Sequence, residues 1–76
     1  MSKTTYEFIA DRFEQLFAYI KNSDDSQEIK SGQLQVLYDA IKSLEIRSES
    51  TKQQDLVTRL QNFRANVNAA IIEYAV

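Results

Sequence analysis

The 76-residue chain predicts an all-α fold, a small bundle of three helices running up, down and up. Three observations predict it. Apolar residues recur at alternating three- and four-residue intervals in three separate segments. No proline and only one glycine interrupt them, and polar, turn-prone stretches lie between them. That spacing places apolar side chains on one stripe of a helix, and its period of about 3.5 residues favours near-parallel, knobs-into-holes packing. A hairpin of the second and third helices with the first on its flank is the rival arrangement. Either way, residues 1–76 read as one helical domain.

The first helix is expected over residues 5–21. Tyr6, Ile9, Phe13, Leu16 and Ile20 form its stripe, and Thr4 with Glu7 three residues later has the form of a capping box. Asn22 to Ser26 is polar and turn-prone and ends it. The second helix is expected over residues 26–46, with Asp25 and Glu28 as its cap and Leu34, Leu37, Ile41 and Leu44 as its stripe. Gly32 costs about 1 kcal/mol against alanine in a helix interior, so a start at Ser31 is the alternative. Arg47-Ser48-Glu49-Ser50 reads as the next break, with a continuous helix through it as the alternative, since nothing there forbids one. The third helix is expected over residues 51–75, capped by Ser50 with Gln53 or by Thr51 with Gln54. Leu56, Leu60, Phe63, Val67, Ala70 and Tyr74 form its seam.

Composition narrows function more than it names it. Hydrophobic residues are 43% and charged residues 26%, the balance of a chain that folds. There is no cysteine and no histidine, which excludes disulfides, thiolate zinc sites and Cys- or His-based catalysis. No glycine-rich phosphate loop and no nucleophile–base pair is present, so no catalytic residue and no cofactor is assigned. Asp24, Asp25 and Glu28 cluster, but without the alternating oxygens and central glycine of a calcium loop, so no metal ligand is assigned. Asp11 and Glu14 are expected to face solvent. The net charge is −2, and all of it resides in residues 1–38. An acidic chain is a poor non-specific ligand for nucleic acid, and Lys52, Arg59 and Arg64 are too sparse for a phosphate-binding face. No apolar run approaches the ~20 residues that span a bilayer, and no secretory signal is visible. The expected location is the cytoplasm.

The first helix carries one feature beyond its core stripe. At ~100° per residue, Phe8 and Tyr19 share a second face, well away from Ile9, with Arg12 between them. Either a neighbouring helix covers both rings or they form a partner surface. Aromatics beside an arginine have the composition of interface hot spots. Phe8, Arg12 and Tyr19 are therefore the candidate partner-binding residues of a small helical interaction module, an adaptor, cochaperone, inhibitor or immunity-type protein. Two other readings stand beside it: a self-assembling structural subunit and, third, a nucleic-acid-binding regulator.

One short stretch bears on self-assembly. Val67-Asn68-Ala69-Ala70-Ile71-Ile72 resembles the C-terminal end of type III secretion needle subunits, which are small helical hairpins that polymerise. The resemblance covers six residues and implies a homo-oligomer. This chain departs from that family in lacking its proline-bearing connection and in carrying an additional first helix, and no residue role carries over.

Overall fold

A computed structural model describes residues 3–75 as three helices. They are α1 (Thr5–Asn22), α2 (Gln27–Ser50) and α3 (Gln54–Tyr74). Short connections make each helix antiparallel to the next, giving the up-down-up bundle that the periodicity predicts. The bundle is elongated, 39 × 19 × 14 Å, because α2 and α3 run most of its length.

The capping box at the start of α1 forms as expected. The Glu7 amide donates to Thr4 Oγ1 at 3.2 Å, and the Thr4 amide donates to Glu7 Oε1 at 3.1 Å. The cap of α2 is Ser26, not Asp25: its Oγ accepts from the Ile29 amide at 3.3 Å. Helix α2 therefore takes the earlier of its two starts and runs straight through Gly32, whose backbone φ is not positive.

The expected break at residues 47–50 is helix instead. Ser48 Oγ donates to the Leu44 carbonyl and Ser50 Oγ to the Arg47 carbonyl, both at 2.8 Å. Bonded back onto the preceding turn, these hydroxyls stop competing with the helix. The chain reverses at Thr51–Gln53. There the Lys52 amide donates to the Glu49 carbonyl and the Gln53 amide to the Ser48 carbonyl, both at 3.0 Å. This is the Schellman pattern, and its left-handed position, usually glycine, is occupied by Lys52 with φ 61°. Neither cap expected for α3 forms. Thr51 Oγ1 donates instead to the Arg47 and Ser48 carbonyls at the end of α2, and Gln53 stands at the α3 N-cap position with no side-chain cap bond.

The core is chiefly the α2–α3 seam. Leu34, Leu37, Ile41 and Leu44 of α2 interlock with Leu56, Leu60, Phe63, Val67 and Ala70 of α3, all buried. Helix α1 lies in the groove of this hairpin and touches α2 more extensively than α3. It buries Ala10 and Ile20 fully and Tyr6, Ile9, Phe13 and Phe17 in part. Leu16, expected on the core stripe, remains 46% exposed. The buried sector of α1 is thus rotated roughly 30° from the expected one, toward Phe17 and Ala10. A helix resting in a groove between two others needs a stripe centred on the groove, and sequence alone cannot say on which side the second wall stands. Among the described residues, no helix is long and apolar enough to cross a membrane.

Candidate protein-binding face

Polar contacts fix the rotation of α1, and with it the face that α1 turns outward. Arg59 of α3 donates from Nη2 to Asp11 Oδ1 at 2.6 Å and to Glu14 Oε1 at 2.8 Å, and from Nε to Glu14 Oε2 at 3.0 Å. Lys3 Nζ donates to the other Asp11 oxygen at 2.6 Å. Asp11 and Glu14 both reach α3, Asp11 part-buried and Glu14 still exposed to solvent as expected. Their positions are readable on the helix wheel: Glu14 lies on the flank away from Phe8 and Tyr19, and Asp11, one turn after Phe8, stands on the outer side between. Lys3 and then Arg59 hold the Asp11 carboxyl below the ordinary carboxylate range. Glu14, followed by Asp11, pushes the Arg59 guanidinium further up. Beside this clamp, Phe17 meets Phe63 edge-on, with ring centroids 5.6 Å apart. At the helix start, Thr4 Oγ1 donates to Gln53 Oε1 at 2.9 Å, tying α1 to the α2–α3 turn.

With that flank held by α3, the opposite flank faces out. Phe8 is 58% exposed and Tyr19 73% exposed, so no neighbouring helix covers either ring. Arg12 lies exposed between them, its Nη1 donating to Gln15 Oε1 at 3.4 Å. Phe8, Arg12 and Tyr19 thus share one uncovered face, and Leu16 belongs with them. Leu16 was missed because it satisfies the heptad spacing; only the rotation of α1 in its groove reassigns it.

The arginines of α3 do not make a second site. Arg59 turns to α1. Arg64 turns to α2, where Nε donates to Glu45 Oε2 at 2.8 Å and Nη1 to Tyr38 Oη at 3.0 Å. Its guanidinium also lies 5.6 Å from the Tyr38 ring centroid. Glu45, nearly buried, and then Tyr38 raise the Arg64 pKa. Sequence reasoning missed this pair because its members lie 19 residues apart across the hairpin, with no local pattern to join them. Among the described residues, no group of acidic side chains is arranged to hold a metal ion. The surface grooves are open, including the one between α1 and α3 lined by Glu14, Phe17, Arg59 and Phe63. No protein family, curated protein or solved structure matches the chain.

Proposed function

We propose that this chain is a small non-enzymatic protein-interaction module of the adaptor, cochaperone or inhibitor type, working in the cytoplasm. The α2–α3 hairpin is a rigid support, and α1 presents Phe8, Arg12 and Tyr19 to a protein partner. The observation that supports this reading is the uncovered pair of aromatic rings flanking an exposed arginine, on a helix whose other flank is tied to α3. Aromatic and arginine side chains supply much of the energy at protein interfaces, and contiguous exposed apolar surface marks such sites.

The test is the double substitution Phe8→Ser, Tyr19→Ser. Circular dichroism should be unchanged, while proteins retained by the immobilised wild-type chain are lost from the variant. Collapse of helicity would place both rings in the core and end this reading.

The self-assembling subunit is the alternative. Its expected contact is the α3 seam, which α2 already covers within one chain, so assembly requires some other surface. Light scattering over a wide concentration range separates the two: a constant monomer mass favours a foreign partner, and a growing mass favours self-assembly. Nucleic-acid binding ranks third, since Arg59 and Arg64 both spend their charge on neighbouring helices.

A further inference from the structure

The two connections of the bundle are built differently. The α2–α3 turn is closed by paired backbone bonds around a left-handed residue, Lys52. The α1–α2 connection, residues 23–26, has no positive φ, no glycine and no proline. Ser23 and Ser26 are both extended. Besides the Ser23 amide on the Ile20 carbonyl, its ties are single side-chain bonds. Ser23 Oγ donates to the Ile20 carbonyl at 3.0 Å, the Ile29 amide donates to Ser26 Oγ, and Lys30 Nζ donates to the Lys21 carbonyl at 3.1 Å. No residue type in this connection forbids it from straightening into helix.

The residue count across the connection is the informative part. Tyr6, Phe13 and Ile20 stand on the inner side of α1 at steps of seven. Leu34, Ile41 and Ser48 stand on the inner side of α2 at the same steps, and two such steps separate Ile20 from Leu34. The neighbouring seam positions keep this phase too, Ala10 and Phe17 in α1 with Tyr38 and Glu45 in α2. A connection that only reverses the chain has no need to conserve such a count. Because it is conserved, straightening the connection makes residues 5–50 one helix with one seam in heptad phase, roughly 69 Å long.

Straightening lifts α1 off its own hairpin and empties the groove. What fits that groove is shown by the structure: α1, through Phe17 on Phe63, Asp11 and Glu14 on Arg59, and Thr4 on Gln53. Going beyond the proposed function, we infer that two copies exchange α1, each α1 seated on the other's α2–α3 hairpin. The exchanged dimer keeps every contact between α1 and a hairpin outside the connection. It closes at two chains, where a structural subunit would keep growing. Asp24, Asp25 and Ser26 set the balance. Aspartate and serine are poorer helix formers than alanine, and Ser26 caps a helix start that straightening removes. The two-fold axis also brings Asp24 and Asp25 of both copies together. A short connection holds α1 near its own groove at an effective concentration of order 1 mM, so the closed chain prevails at micromolar concentration. The outward flank of α1 takes no part in the exchange, so Phe8, Arg12 and Tyr19 stay uncovered in either form.

The test refolds the full chain from urea at about 1 mM, with isotope-labelled and unlabelled copies mixed. Light scattering reads the mass, and isotope-filtered NOE spectra read contacts between chains. The wild type should yield a fraction at twice the 8.8 kDa chain mass, with Phe17 of one copy against Phe63 of the other. The triple variant Asp24→Ala, Asp25→Ala, Ser26→Ala should dimerise about tenfold more tightly with helicity retained. A run of glycines inserted between Asp24 and Asp25 should abolish the dimer and leave α1 seated, because it breaks both the long helix and its phase. A wild type that stays wholly monomeric at this concentration would overturn the exchange. So would a dimer in which Phe17 and Phe63 meet only within one chain while Phe8 or Tyr19 meets the other copy; that result is face-to-face pairing, and it would also occupy the proposed partner face. An alanine variant no tighter than the wild type would overturn the hinge. A monomer in all three chains leaves the proposed function standing.

Discussion

The α2–α3 hairpin and α1 are held by different physics. In the hairpin, nine buried apolar side chains interlock along the seam, and the buried polar groups beside it are paired or bonded back to their own helix. Helix α1 has two fully buried side chains, a ring of half-buried aromatics and a charged clamp near the surface. Burial of apolar area is worth about 25 cal/mol per Å² and is insensitive to salt, whereas exposed ion pairs contribute 0 to about 1 kcal/mol and are screened. The hairpin is therefore the support, and α1 is the element whose attachment responds to solution conditions. The same shallow seating leaves one flank of α1 free to meet something else.

The largest effect expected is on the seam. Leu60→Ala, at a fully buried site, should cost about 3–5 kcal/mol and unfold all three helices together in urea. Loss of α1 alone would show that the seam is not the common support. Arg64→Ala should come next, at about 1–3 kcal/mol, because it strands the nearly buried Glu45 carboxylate. Pairing it with Glu45→Gln should recover part of that loss.

Two substitutions sharpen the hairpin side of the comparison by removing its local misfits. Lys52→Gly should stabilise by about 0.5–1 kcal/mol, since the turn holds a residue with a β-carbon at φ 61°. Gly32→Ala should stabilise by a similar ~0.5–1 kcal/mol, because a β-carbon there meets no atom within 4 Å. Thermal melting checks both.

The clamp is the smaller term. Arg59→Met should cost under about 1 kcal/mol overall, yet raise amide exchange in α1 while α2 and α3 stay protected. Acid should act in the same direction. The folded-state pKa of Asp11 is lowered, so its stabilisation is fully present above the ordinary carboxylate range and is lost as pH falls through the lowered value. Exchange in α1 should therefore rise in acid before the hairpin loosens, and added salt should do so at neutral pH. Equal loosening of all three helices would erase the distinction between the two regions.

Much of this division was legible in the residues, and the misses have causes. The Thr4–Glu7 box and the α2 and α3 stripes are local signals, and they form as the sequence predicts. The α2–α3 break was misplaced because serine marks a helix end only when its hydroxyl competes for the backbone, and Ser48 and Ser50 bond back along the helix. The swap of Leu16 for Phe17 and the Glu45–Arg64 pair depend on how helices sit against one another, which no periodicity within one helix contains. The exposure of Phe8 and Tyr19 belongs to the same class: their shared face was readable, but only the seating of α1 decides that nothing covers it.

The central claim is that this outer flank of α1 contributes to binding and not to folding. Urea unfolding of the Phe8→Ser, Tyr19→Ser chain beside the wild type tests it most directly. The account predicts stabilities within about 0.5 kcal/mol per substitution and equal denaturant slopes, as for surface positions. A loss above about 3 kcal/mol, the range of emptied core sites, would contradict it.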